Sequence, residues 1–318
     1  MRRLAVTSLL LVIVLVSLSA YLRLSHSGIG CADWPACYGL IGSAGDSAPT
    51  VESTLERLAA ETGQALSWAT PAHRLVASVL GLTVLALVLI AVAQKRRRTI
   101  SIALLVLTVF LAWLGIYSVG LHSPAVVMGN LAGGFAMLAL LGWMVLQPDK
   151  PVAGHLPVVR NWSIAALAVL VLQIGLGGLT SANFAASACP ELPTCNGRIL
   201  PGPGLLRAFD LSRSHEIGPS GLALGGPERA AIHQLHRLGA VLTTVLVVVA
   251  GTVALQAKLG VSAVLVLVLV AAEFAVGIAA VITDIPIEIA VLHNWLAAML
   301  LLALLRLLAL SQRQQAFR

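Results

Sequence analysis

Three histidines, His73, His236 and His293, stand inside apolar segments of this chain. His73 and His236 each open the same run, His-Arg-Leu-x-Ala. A step of fifty-seven residues leads from His73 to Asn130, and the same step from His236 reaches His293. Imidazole is costly within a bilayer unless it faces a bundle interior and is paired or liganded. Two imidazoles at similar depth on facing helices can grip the iron of a planar macrocycle from both sides, giving a six-coordinate haem suited to electron transfer. For any one histidine the plain alternative is a hydrogen bond to a neighbouring helix. Zinc is disfavoured, because no third or fourth ligand of fitting spacing accompanies the pair.

Cysteine carries the second kind of chemistry. Cys31-Ala-Asp-Trp-Pro-Ala-Cys37-Tyr-Gly39 answers Cys189-Pro-Glu-Leu-Pro-Thr-Cys195-Asn-Gly197, so each pair encloses five residues. Two readings stand: structural disulfides Cys31–Cys37 and Cys189–Cys195 in an oxidising compartment, or redox-active pairs. The C-x5-C spacing is longer than that of zinc knuckles.

Other polar residues have two readings each. Arg74 and Arg237 follow the helix-opening histidines directly, and either meet carboxylates of a bound porphyrin or snorkel to lipid headgroups. His233, one turn before His236, shapes the cofactor edge or packs against a loop. His26, His122 and His215 fall in outer loops and His155 in an inner one; His26 and His122 flank the first-half cavity. Spans five and seven carry Gln173-x-x-x-Gly177 and Glu273-x-x-x-Gly277, in which glycine reads as close helix packing. Glu273, at mid-membrane, relays protons or makes a hydrogen-bonded packing contact.

The elements that must hold these groups are membrane helices. Hydrophobic residues make up 58% of the 318 residues and charged ones 10%, with a mean hydropathy of +0.95, which excludes a water-soluble globule. Apolar runs of spanning length lie near residues 4–22, 72–93, 100–120, 125–146, 162–181, 234–256, 261–282 and 287–309. The first follows Met-Arg-Arg but has no small-residue cleavage site before Tyr21-Leu-Arg23, and reads as a retained helix. Basic residues (Arg2, Arg3, Lys95 to Arg98, Lys150, Arg160, Lys258, Arg306, Arg313, Arg318) all fall on one side, so both termini are expected in the cytoplasm. The net charge of +7 is this topology signal and requires no nucleic acid. The long loops 23–71 and 182–233, with all four cysteines, then lie outside.

The repeated punctuation predicts an internal duplication. The cysteine loops align at an offset of 158, with Asp33 matching Glu191 and Pro35 matching Pro193; the His-Arg helices align at 163. Four spans per unit enter the membrane in the same sense, as parallel repeats do. The expected fold class is an all-α polytopic membrane protein, with eight transmembrane helices as two parallel four-helix-bundle repeats. Residues 1–147 form the first, 148–159 a cytoplasmic linker, and 160–318 the second.

Over essentially its whole length the chain resembles the haem A synthase family of cytochrome c oxidase assembly proteins. The likeness rests on Gly28-Ile-Gly-Cys-Ala-Asp-Trp-Pro-Ala-Cys-Tyr-Gly39, Cys189 to Gly197, Ile232-His-Gln-Leu-His-Arg237 and His293. The long second outer loop, with Ser181-Ala-Asn183 and Ile217-Gly-Pro219, is similar to proteobacterial members. The resemblance implies a haem b held by His236 and His293 as cofactor in the C-terminal half. It also implies a substrate, haem O, in the N-terminal half with His73 on its iron, and oxidation of a haem O methyl group to a formyl. Implied partners are a haem O synthase, oxidase assembly factors, membrane lipid and a possible second copy of the chain. The implied location is a bacterial inner (plasma) membrane. Two positions depart from the family pattern: Asn130 replaces the second first-half histidine, and Thr70 stands where an acid is usual. Asparagine is a poor iron ligand and threonine no carboxylate base. These departures keep open a rival, a non-catalytic haem b-binding membrane protein that carries electrons or handles haem. A small-solute transporter is disfavoured, because no span is visibly broken at mid-membrane.

Overall fold

The computed structural model describes residues 1–24, 68–117, 123–148, 156–213 and 226–312. Their regular structure is helical, and eight helices are long and apolar enough to cross a membrane. These are α1 (Arg2–Leu24), α2 (Ala69–Ala93), α3 (Arg98–Tyr117), α4 (Pro124–Leu146), α5 (Pro157–Ala182), α6 (Pro227–Gln256), α7 (Gly260–Ile282) and α8 (Ile287–Ser311). All eight were legible as apolar runs, because a helix satisfies every backbone group internally where no water can. Proline begins α4, α5 and α6 at Pro124, Pro157 and Pro227, where its missing N–H costs nothing and its fixed φ suits the first turn. The turns after α2, α6 and α7 use left-handed residues, Lys95 and Arg97 (φ 54°), Lys258 (61°), and Asp284 and Ile285 (57° and 58°). These reverse the chain within a few residues, so α2 to α3, α6 to α7 and α7 to α8 are tight hairpins.

Helix contacts close into two rings. α1 packs on α2 and α4, and α3 on α2 and α4; α5 packs on α6 and α8, and α7 on α6 and α8. α4 and α8 meet between the rings, flanked by α1 against α8 and α4 against α5. Leu138, Leu141, Leu300, Leu304 and Leu307 are fully enclosed in this seam. A methyl group added to Gly142 would run into Leu302, and one added to Gly178 into Leu131 and Met128, so small residues set the approach of α4 to α8 and α5, as in membrane bundles generally. Large side chains such as Leu82, Leu89, Val106, Leu172 and Val261 face outward, which suits lipid as solvent.

At one end of the bundle, basic side chains meet the ends of two helices. Arg97 Nη1 donates to Met144 O at 2.6 Å, Arg306 donates to Leu146 O, and Leu156 N donates to Ser311 O at 3.4 Å. These bonds answer the free carbonyls at the ends of α4 and α8.

The opposite end is covered over α5 and α6 by residues 183–213, which include the helical turns Ala186–Ala188 and Leu205–Ala208 and a bridge between Cys195 and Arg198. Cys189 and Cys195 form a disulfide. Cys31 and Cys37 lie outside the described residues, as do His26, His122, His155 and His215.

Candidate functional site

α6 brings His236, and α8 brings His293, to a common level of the second ring. Their ring centroids are 6.3 Å apart and their planes cross at 85°. Each ring is braced at Nδ1 by the neighbouring helix. Gln173 of α5 sets its Nε2 3.0 Å from His236 Nδ1 and 2.9 Å from His236 O. Glu273 of α7 sets Oε2 3.2 Å from His293 Nδ1, at ion-pair distance though without the alignment of a hydrogen bond. One turn further along each bracing helix, a glycine lies against the ring. A Cβ at Gly177 would meet His236 Cε1 at 3.1 Å, and one at Gly277 would meet His293 Cε1 at 3.2 Å. The two four-residue patterns seen in the sequence thus serve one purpose, a polar brace and a flat wall for each imidazole.

With Nδ1 engaged on both rings, Nε2 is the atom left to coordinate. Two imidazoles bound to opposite faces of one iron put their centroids about 6 Å apart, two metal–nitrogen bonds of about 2 Å plus the radius of each ring. The observed separation fits that demand. Among the described residues no three His, Cys, Asp or Glu side chains converge, so these residues alone do not form a tetrahedral zinc set. A neutral imidazole that offers Nε2 to a metal carries its proton on Nδ1. Gln173 meets that proton through oxygen once its amide turns over, a turn that gives up its bond to His236 O.

The first ring holds a cavity of about 390 Å³ walled by α1 to α4, within the usual range for a ligand pocket. His73 of α2 and Asn130 of α4 both line it, so the residues read as equivalent to the second-half pair do share one space. Arg74 lines it too, and so does Arg23 from the last turn of α1. Most of the remaining wall is apolar. Thr70 is buried and is not part of the wall.

Arg237 has loop partners that neither of its two readings named. Its Nη1 donates to Glu191 O at 2.7 Å and to Thr194 O at 3.1 Å, and its Nη2 donates to Cys189 O. The guanidinium holds three carbonyls of the disulfide loop. Gln234 donates to Ile199 O and Arg229 to Phe184 O, while Arg213 bonds both Glu228 (3.0 Å) and Asn183. The first three turns of α6 therefore pin residues 183–213 to the second ring. His233 is buried beneath them.

Sequence reasoning missed Arg23 as a site residue and took Gln173 only as part of a packing pattern. The signal for Gln173 was present: it stands at the same four-residue spacing from glycine as Glu273. Arg23 carried no such signal, since a basic residue at a span's end usually marks a membrane boundary.

An eight-span, all-helical bundle with polar side chains converging in each ring defines a multi-pass membrane protein built around intramembrane sites. The family model described as "Cytochrome oxidase assembly protein" matches residues 2–305, and the chain belongs to that family. A protein named "Heme A synthase" from Shewanella oneidensis is 32% identical over 309 residues, covering 93% of this chain and 92% of its own length. Proteins of the same name from Halalkalibacterium halodurans (25% identical, 98% of this chain and 96% of theirs) and Caulobacter vibrioides (27%, 92% and 90%) are also similar.

Proposed function

We propose that this protein is an oxidoreductase that makes haem A by oxidising a methyl group of haem O to a formyl, for the assembly of cytochrome oxidase. The observation that carries the reading is the braced pair His236 and His293, 6.3 Å apart, in a chain whose relatives are named for haem A synthesis along nearly their full length.

In this reading the halves divide the work. Residues 160–318 hold haem b through His236 and His293, which when bound supplies one-electron transfer. Gln173 and Glu273 orient the two imidazoles, as the outer partners of ligating histidines do. Residues 1–147 hold the substrate: the apolar wall accepts its body, His73 reaches its iron, and Asn130 opposite is too weak a ligand to close the sixth position. Cys189–Cys195 acts as a structural clip, and the pair Cys31 and Cys37 is its counterpart in the first half. The matched registers of the two halves, and the two closed helix rings, support a duplicated unit. The basic end of the bundle supports a bacterial inner membrane with both termini in the cytoplasm. A haem O synthase is the natural supplier of substrate, oxidase assembly factors the natural recipients of product, and a second copy of the chain a further partner.

Pigment analysis tests this directly. Expressed beside a haem O source, the protein yields haem A among the extracted haems. Extraction of haem b alone would support a non-catalytic haem carrier, the reading that Asn130 and Thr70 favour.

A further inference from the structure

Arg23 is a guanidinium set into the wall of an apolar cavity, with little among the described residues to hold it. It lines the first-ring cavity from α1. Among the described residues its one side-chain bond is a long one, Nη2 donating to Asn294 Oδ1 of α8 at 3.4 Å. Its Nε is closed off from solvent with no partner, and so is Asn294 Nδ2. No carboxylate among the described residues pairs with Arg23. A guanidinium can make five donor contacts in a fixed fork that matches a carboxylate. An enclosed cation with unmet donors is strongly unfavourable until an anion joins it.

We propose that Arg23 is the carboxylate anchor of the first-ring cavity, binding an acid group of an amphiphile whose apolar body fills the remaining wall. The proposal deepens the functional reading above and rests on it for the identity of that amphiphile, a porphyrin bearing free carboxylates. Asn294 keeps the guanidinium aimed into the cavity until the ligand arrives. The anchor fixes which edge of the macrocycle points toward the end of α1, and so which edge points away from it, deeper among α2, α3 and α4. Such orientation decides which ring substituent is presented for reaction.

The test uses the full-length protein in detergent, with its second-ring haem in place, titrated by fluorescence with zinc protoporphyrin IX and with its dimethyl ester. The wild type should bind the diacid more tightly than the diester. Arg23→Gln should weaken diacid binding roughly tenfold or more and leave diester binding unchanged, since a charge-assisted pair is lost only where the charge exists. Arg23→Lys should restore part of the preference. Unchanged second-ring haem content shows that each variant is folded. Equal affinity for diacid and diester in the wild type, or an intact preference in Arg23→Gln, overturns the anchor while leaving the cavity a porphyrin site. Binding of neither porphyrin, or binding indifferent to His73→Ala, overturns the porphyrin reading and the anchor with it.

Discussion

Glu273 stands to His293 as Gln173 stands to His236: each reaches Nδ1 of its histidine from the neighbouring helix, at 3.2 Å and 3.0 Å. The geometry is repeated but the chemistry is not, because one brace is an acid and the other an amide. On the proposed haem iron, the two histidines would be ligands of unequal basicity.

Replacing either histidine should remove the cofactor. His236→Ala and His293→Ala are each expected to lower haem per chain at least tenfold in the purified protein, since a single weak axial contact replaces a two-sided grip. Pyridine-haemochrome counts and the optical spectrum give the measurement. A variant that kept the wild-type spectrum would remove that histidine from the iron.

Exchanging the braces should tune the site without emptying it. Glu273→Gln weakens the pull on the His293 ring proton and should raise the midpoint potential, by up to about tenfold in the reduction equilibrium, or ~59 mV for one electron. Gln173→Glu should move it the opposite way. Redox titration of protein matched for haem content checks both signs; two shifts in the same direction would mean that Glu273 only packs.

Asn130→His would set a second imidazole in the cavity with His73. Haem retained per chain is expected to rise from about one toward two, because two-sided ligation holds a porphyrin that one histidine releases. If haem content and product were both unchanged, Asn130 would have no part in controlling the first-ring iron.

The segment 183–213 should be separable from the proposed haem site. Cys195→Ser removes a short covalent ring, at a cost of about 2 kcal/mol in the chain-entropy model. Arg237→Ala removes charged donors from three loop carbonyls, each such bond contributing roughly 1.5–3 kcal/mol. Both variants should melt earlier and be cut faster by protease at residues 189–198, with haem still bound at wild-type wavelengths. A large spectral shift in Arg237→Ala would instead restore it to the haem site.

Much of this protein was decided by one-dimensional pattern. Eight apolar runs predict eight helices because a bilayer leaves the backbone no other way to satisfy its hydrogen bonds. The recurrence of His-Arg at 73 and 236, and of a polar residue fifty-seven positions later, marked the ligand candidates before any fold was known. What remained hidden was lateral. Spacing along a helix gives depth and face but not which neighbour that face meets. Only packing could seat Gln173 on His236, bind Arg237 to three loop carbonyls, or draw Arg23 from the end of α1 into the wall of a cavity. The physical reason is that membrane helices are chosen by hydropathy one at a time, while their partners are chosen by shape, small residues and buried polar contacts between segments far apart in the chain.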